Sequence, residues 1–404
     1  MTSDALAMAA PLMSFDEARL VLTCFFGLCA AFGIVYTIIA TVLVGPFFAR
    51  RSPACERYPP VTVIKPLSGM EATLLSNLRS FCEQDYPGTV QYLFGVHDAC
   101  DPALDVVREL QVLYPAVHIT TIVNSALHGC NRKVSNLINM LPSAEYDVFV
   151  FADSDVTVAG DYLSRVVGEL ETEGVGLVTC AYVGVPDPGF WPQLSARAVD
   201  YQFLPGVVAG LRAGLAQPCF GQTIVMRRET LDAIGGLGQF AGLLAEDHAI
   251  GVAVRATGQK VVVPGFVVGH ACPESTAVRL MEHELRWSRT IRRIDPIGHA
   301  GSALSYPVAW AALALMAGGA PVWAVLQFVI ALAARALLQS RIDALLKRPV
   351  RSLWLLPLWD LLAFATLCLS FSSSRIVWRG VSFRVDGRGM LTVEPGRSSA
   401  DRAS

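Results

Sequence analysis

The stretch FVFADSDVTV, residues 149–158, runs four apolar positions straight into Asp153-Ser154-Asp155. A short run this rich in Val and Phe reads as a buried strand. Two carboxylates at i and i+2 just past a strand can point to one side, with Ser154 turned away. Their oxygens suit a hard cation such as Mg²⁺ or Mn²⁺ that also holds phosphates. The same three residues can also close an Asx-type turn. The motif alone leaves both readings open, and the surrounding sequence has to choose.

Outward from this strand, VTVIKP (61–66), VQYLFGV (90–96), VHITTIV (117–123) and VGLVTCAY (175–182) repeat the short Val- and Ile-rich pattern. Between them, EATLLSNLRSFCEQ (71–84) and DPALDVVRELQVLY (101–114) place Leu, Val and Ala at helical spacing. Such alternation predicts an α/β domain with a mostly parallel sheet. Ligands of these sheets sit beyond the C-terminal strand ends. The residues at those ends are Lys65-Pro66, His97-Asp98 and Asp153-Ser154-Asp155. Asp101 stands where the N-cap of the next helix belongs, which leaves Asp98 as the better ligand candidate.

The chain has 404 residues, 53% hydrophobic and only 16% charged, with a mean hydropathy of +0.46. Soluble domains carry about 25% charged residues, so the shortfall points to membrane segments. A formal net charge of −2 gives no global field for nucleic acid. The ten cysteines include no CxxC and read as small apolar residues in a reducing compartment. Residues 20–49 hold no charge, more than the roughly 20 residues a bilayer needs. Arg50-Arg51 follow at once, which places that end in the cytoplasm. Residues 300–339 carry only Arg335 and break at AGGAP (317–321), predicting helices near 303–317 and 321–339. A third apolar stretch, 353–371, contains Pro357 and Asp360. Basic clusters stand before, within and after this region: Arg289, Arg292 and Arg293; Arg341, Lys347, Arg348 and Arg351; Arg375, Arg379, Arg384 and Arg388. Three full crossings after residue 300 cannot leave all three clusters on one side. The 353–371 stretch is therefore read as re-entrant or interfacial, given the cost of a charge at membrane depth.

Three further segments carry candidate chemistry. Glu246-Asp247-His248 opens an apolar helical stretch, where acidic residues serve the helix dipole or supply a general base. Arg286, Arg289 and Arg293 fall on one helical face, as an interfacial basic helix or a diphosphate clamp, with Trp287 beside them. Residues 189–223 are apolar and aromatic, as core or as a segment in the membrane interface.

A lone Asp98, the Asp153-Ser154-Asp155 triplet after a strand, Glu246-Asp247 and the Arg286-Trp287 pair resemble the D, D, D, (Q/R)xxRW series of family 2-like glycosyltransferases. The stretches NRKVSNLINMLPSAEYDVFVFADSDV, GLLAEDHAIGVAV and WRGVSFRVDGRG are similar to family 21, the ceramide glucosyltransferase-like group, over roughly residues 18–390. Within it, HELRWSRTIRRIDPIG looks most like the bacterial hopanoid-biosynthesis branch, with His283 where the broader series has Gln or Arg. The resemblance implies a GT-A-type nucleotide-sugar-binding domain with N-terminal and C-terminal transmembrane helices. It implies an inverting transfer from a UDP-sugar to a lipid hydroxyl. The first form is N-acetylglucosamine to bacteriohopanetetrol; the alternative is UDP-glucose to ceramide.

The roles it implies follow residue by residue. Asp98 meets the uridine part of the donor. Asp153 and Asp155 hold Mg²⁺ or Mn²⁺ and the diphosphate, Asp247 is the base, and Arg286 and Trp287 help hold the diphosphate. Lys65 and Lys133 are further donor contacts, and Cys219, Glu246 and His283 lie on the acceptor side. The expected organisation is an anchor over 1–50, a catalytic domain over 51–299 with an interfacial segment near 190–218, membrane helices over 300–374 and a basic tail over 375–404. The expected location is a bacterial inner (cytoplasmic) membrane, multi-pass, with the catalytic domain facing the cytoplasm and no nucleic-acid partner. A transporter would need many more spans than four. A tethered module with a decayed transferase fold would lack an acidic position, and all are present.

Overall fold

The computed structural model describes residues 14–372, and the backbone of 375–378, 381–385 and 391–393. The strands are β1 (Val61–Pro66), β2 (Val90–Val96), β3 (His118–Val123), β4 (Val148–Ala152), β5 (Val156–Thr157), β6 (Val175–Thr179), β7 (Ala181–Pro186), β8 (Thr223–Arg227), β9 (Lys260–Val262) and β10 (Val267–Cys272). The helices are α1 (Phe15–Ala49), α2 (Leu74–Cys82), α3 (Ala103–Leu113), α4 (Arg132–Met140), α5 (Tyr162–Leu170), α6 (Phe190–Ala198), α7 (Leu204–Ala213), α8 (Arg228–Ala233), α9 (Glu246–Ala256), α10 (Ala277–Ile294), α11 (Pro296–Gly301), α12 (Pro307–Gly318), α13 (Val322–Leu345) and α14 (Leu355–Ser370). The tail adds β11 (Arg375–Trp378), β12 (Val381–Val385) and β13 (Leu391–Val393), an antiparallel sheet. The remainder of the expected basic tail, with Arg379 and Arg388, lies outside the described residues.

The main sheet runs β3-β2-β1-β4-β8-β6-β9. Its pairs are parallel except where β8 runs antiparallel to β4 and β6, so the expectation of an α/β domain with a mostly parallel sheet holds. Alternate residues of each strand serve two cores, as the period of 2 requires. Val63, Tyr92, Phe94 and Val150 pack with Leu78, Val107 and Val166 of α2, α3 and α5. Ile64, Leu93 and Phe149 pack on the other face with Leu137, Leu231 and Ile250 of α4, α8 and α9.

The strand expected over 175–182 is two strands. The chain leaves the main sheet at Cys180, which is fully buried, and β7 enters a second sheet, β5-β10-β7. One apolar run cannot reveal that its two halves face different neighbours.

In the membrane region, α1 and α13 are long and apolar enough to cross a bilayer. Arg19 Nε donates to Ala317 O (2.8 Å) and Gln327 Nε2 to Gly27 O (2.7 Å), so α12 runs antiparallel to α1 and α13 parallel to it. Gly33 permits the closest approach: a Cβ there would lie 2.6 Å from Leu304 O. Helix α12 begins at Pro307 rather than near 303, because residues 296–305 form a separate piece bent 65° from it.

Helix α13 continues six residues past its expected end, to Leu345, because its polar C-terminal turns are paired rather than exposed. Asp343 accepts from Arg348 Nε (2.7 Å) and Tyr201 Oη (2.7 Å). Arg348 and Arg351 also reach Asp200 Oδ2, at 2.7 and 2.6 Å, and Asp200 Oδ1 accepts from Gly184 N of β7. Two members of the cluster expected as a free basic marker are therefore neutralised by buried carboxylates. Within residues 190–218, the stretch 212–215 is exposed and the middle is packed. Tyr201, Leu204 and Val208 are wedged against Val44, Phe47, Leu338 and Ile342 of α1 and α13, so residues 201–208 join the sheet domain to these two helices.

Helix α14 has 16 residues, about 24 Å at 1.5 Å per residue, short of a roughly 30 Å hydrocarbon core. Ser352 just before it accepts from Arg197 of α6, and Ser370 at its end bonds His299 of α11. Pro357 sits in its first turn, where no intrahelical donor is lost. Asp360 is fully buried, paired with Arg335 of α13 at 2.8 Å, and accepts from Val308 N. Breaking a buried pair from one side costs about 3–5 kcal/mol. Arg335→Leu is therefore expected to lower the unfolding temperature of the detergent-solubilised protein strongly, and Arg335→Leu with Asp360→Leu to recover at least half of the loss. A double variant no better than the single one would show that the pair does not carry the effect.

Candidate active site

The parallel register brings the ends of β1, β2 and β4 to one edge, since Ile64 faces Phe151 and Pro66 faces Gly95. Strand β8, running the other way, delivers its N-terminal end to the same edge. Ala152 pairs with Thr223, and Asp153 N donates to Gln222 O. Gly221 thus arrives beside Asp153, and its N–H donates to Asp247 Oδ2 at 2.8 Å. A Cβ on Gly221 would sit 3.1 Å from Lys133 Nζ and 3.3 Å from Asp247 Oδ2, so a side chain there would crowd both.

Lys133 is the centre of this cluster. Asn131 caps α4, accepting from Val134 N at 3.1 Å, and Lys133 projects from that first turn. Its Nζ lies 2.7 Å from Asp153 Oδ1 and 3.2 Å from Glu246 Oε1. The Nδ2 of Asn131 donates to Glu246 Oε2 (3.0 Å) and Leu243 O (3.0 Å), tying the start of α9 to the start of α4. Burial opposes the charge on Lys133, but Asp153 and Glu246 more than offset it and hold the ammonium above its usual range. Burial pushes the Asp247 carboxyl up, against the pull of Lys133 and the His248 and Gly221 N–H groups.

Asp155 is placed by the second sheet. Strand β5 begins one residue later, His270 of β10 pairs with Val156, and Asp155 O accepts from Ala271 N. His270 Nδ1 therefore lies 3.4 Å from Asp155 Oδ2. Asp155 Oδ1 is buried with no hydrogen-bond partner. Such an oxygen fits a hard divalent cation. Among the described residues no three His, Cys, Asp or Glu side chains converge as a metal set. A cation here would draw on Asp153 and Asp155 and fill its shell with oxygens of a ligand or water.

From α10, Trp287 packs against the edge of the sheet core, its ring 5.8 Å from His270 and 4.7 Å from His283. Arg286 is half-buried in the field of Glu274, Glu284 and Asp155. Arg289 is half-buried as well and Arg293 is exposed, so the three arginines expected on one face do not share one environment.

The structure brings together Asp153, Asp155, Lys133, Glu246 and Asp247, and beside them Arg286, Trp287 and His283. Asp98 stands exposed two residues past β2, and its Oδ1 accepts from Cys100 N at 2.9 Å, a turn duty the sequence reading did not give it. Asp101 does more than cap, since it also accepts from Gly69 N (2.9 Å) and so ties the loop after β1 to α3.

Lys65 and Cys219 do not reach the cleft. Lys65 is fully buried, its Nζ 3.6 Å from the Phe81 ring centre without a hydrogen bond, and burial draws it down to about 7 despite Asp155 and Asp153. Strand alternation turns it inward, beneath the two carboxylates. Cys219 lies in the core under α9, packed against Gly251, because the chain before β8 passes beneath that helix. The sequence reading missed Asn131 and His270. Asn131 had a signal, an N-cap before the periodic VSNLINM. A single His in an apolar strand has none.

The family model described as glycosyl transferase family 21 matches residues 25–391. Ceramide glucosyltransferase 3 of Caenorhabditis elegans is 29% identical over 236 residues, covering 57% of this chain and 50% of that protein. An N-acetylglucosaminyltransferase of Rhizobium meliloti (strain 1021) is 24% identical over 280 residues, covering 66% and 63%. The chain spans about half the length of the first curated relatives it matches, 50% and 44%. A mannosyltransferase of Pyrobaculum calidifontis, solved with GDP-Man and Mn²⁺, is 22% identical and covers 87% of this chain and 100% of its own, at a TM-score of 0.49.

Proposed function

The chain belongs to glycosyl transferase family 21, and from that premise we propose that it is a membrane-bound inverting hexosyltransferase moving a sugar from a UDP-sugar to a lipid hydroxyl. One observation carries this reading. Lys133 bridges Asp153 and Glu246, so the residue pair suited to a donor diphosphate and the pair suited to an acceptor base form one cluster.

Asp153 and Asp155 would hold a divalent cation. When bound, that ion neutralises charge developing on the departing diphosphate. Lys133 lies within reach of the same charge, and Arg286 adds a second cation from α10. Asp98, exposed at the end of β2, meets the uridine part. Asp247 takes the proton of the attacking hydroxyl, since Gly221 and His248 hold its carboxylate in place and burial raises its basicity. Inversion needs only this one base, because a single displacement exchanges the leaving diphosphate for the lipid oxygen. Glu246 keeps its place as the partner of Lys133 and Asn131. The catalytic domain faces the cytoplasm of a bacterial inner membrane, because the ends of α1 and α13 that reach it carry Arg50, Arg51, Arg341 and Lys347. Helices α1 and α13 cross, α12 makes a crossing only together with the bent 296–305 piece as one broken span, and α14 stays at the near interface.

Within this reading the first acceptor is bacteriohopanetetrol with UDP-N-acetylglucosamine, supported by HELRWSRTIRRIDPIG and the matching N-acetylglucosaminyltransferase. The ceramide glucosyltransferase relatives favour ceramide with UDP-glucose as a second reading. Membranes containing the protein are to be assayed with each donor against each acceptor. We expect N-acetylglucosaminylated hopanoid. Product from ceramide and UDP-glucose alone would replace the first reading with the second, and no product in any combination would overturn lipid transfer.

A further inference from the structure

Four buried polar atoms without a hydrogen-bond partner gather at the β10–α10 corner: Asp155 Oδ1, His270 Nδ1, Glu274 Oε2 and His283 Nδ1. Folded proteins leave only a few such atoms per hundred residues. Here they form one continuous patch. His270 lies beside Asp155 at 3.4 Å, Trp287 stands between His270 and His283, and His283 Nδ1 is 3.4 Å from Glu274 Oε1 and 3.6 Å from Glu284 Oε1. His270 and Glu274 are each more than nine-tenths buried. Asp155 Oδ1 has a claimant in the cation already discussed. Of the other three, His270 Nδ1 and His283 Nδ1 have only carboxylate approaches of 3.4 Å or more, and Glu274 Oε2 has no hydrogen bond.

We propose that Glu274, His270 and His283 form a subsite for the hydroxyl groups of a neutral polyol, carried by the donor's sugar or by the acceptor's head group. This rests on the transferase reading and adds the ligand chemistry of one corner of that site. The charges select the class. Arg286 and Asp155 are already assigned to the donor diphosphate, and a further phosphate set against Glu274 and Glu284 would be repelled. A bare cation would meet Arg286, and among the described residues no three of these side chains converge as a metal set. A hydroxyl both donates and accepts, so it can satisfy the Glu274 oxygen and an imidazole nitrogen at once. The half-buried Trp287 ring, 4.7 Å from His283, offers an apolar face for the C–H side of the same ligand.

The test uses the full chain in detergent with Glu274→Gln, Glu274→Ala and His283→Ala. Calorimetry with UDP, UDP-glucose and UDP-N-acetylglucosamine reads the donor arm, and KM and kcat with bacteriohopanetetrol and ceramide read the acceptor arm. Losing a hydrogen bond from a charged group to a ligand hydroxyl is expected to cost about ten-fold or more in affinity. A UDP-sugar weakened by that factor with UDP unchanged identifies the donor sugar. An acceptor KM raised by that factor, with UDP-sugar binding unchanged, identifies the acceptor polyol. The proposal is overturned if neither moves, if UDP alone weakens as much as the UDP-sugar, or if only kcat falls. The donor arm needs no turnover. A wild type that glycosylates neither lipid would therefore sink the transferase reading while this arm still reads the subsite. Should Glu274→Ala fail to fold, the isosteric Glu274→Gln and His283→Ala carry the result.

Discussion

Asp247→Asn abolishes sugar transfer while UDP-sugar binding stays within about three-fold of wild type. A positioned general base contributes on the order of 10²–10⁴-fold, so kcat is expected to fall by at least a hundred-fold. The substitution keeps the shape of the side chain and removes its ability to take a proton. It leaves the Asp153–Lys133 contact in place, which is why the donor should still bind. The wild-type pH profile provides a second reading of the same group. Burial raises the Asp247 carboxyl above the ordinary carboxylate range of about 4. A base works only when deprotonated, so activity rises with pH through that raised value, and the acid limb of kcat/KM lies above the ordinary range. Asp247→Asn should remove that limb from whatever activity remains. Donor affinity falling in step with kcat would refute the base assignment.

EDTA is expected to stop the reaction, and Mg²⁺ or Mn²⁺ to restore it. Asp155→Ala should then lower kcat/KM by about a hundred-fold or more, since a cation on a departing diphosphate is worth several kcal/mol. Asp155 is the sharper position to change. Asp153 is also held by Lys133, whereas Asp155 Oδ1 has no partner in the protein. Removing Asp155 therefore takes away a cation ligand while leaving the Asp153–Lys133 pair intact, and of protein contacts to its carboxylate it gives up the 3.4 Å approach of His270 to Oδ2. A Mn²⁺ titration followed by electron paramagnetic resonance, in the presence of UDP, should show weaker retention of the ion in the variant. Full activity in EDTA would undo the role given to both carboxylates.

The α/β alternation was legible because strand and helix periods are local properties of the chain. β1 and β2 fall where VTVIKP and VQYLFGV stand. The two-sheet split at Cys180 was not legible, since an apolar run carries no record of which neighbour each half meets. The carboxylates were legible as types at strand ends. Their environments were not. Lys65 and Lys133 look equivalent in the sequence, yet strand alternation buries one and a helix N-terminus presents the other to Asp153. Arg348 and Arg351 read as a free basic cluster until Asp200 and Asp343, more than 140 and up to eight residues away in sequence, are folded against them.

The sequence by itself determined the membrane segments, the α/β class and the acidic series ending in Arg286-Trp287, because each is written in residue types and short spacings. The tertiary structure decided which charges face the cleft and which are spent in the core. That decision depends on long-range pairing: β8 returning antiparallel to bring Gly221 to Asp247, β5 pairing with β10 to set His270 against Asp155, and α13 closing on residues 199–203. Electrostatic free energy depends on distance and burial, and neither exists until those contacts form. Asp153-Ser154-Asp155 could therefore be noticed in the chain, but the division of labour between its two carboxylates, one on Lys133 and one with an oxygen left open, belongs to the fold.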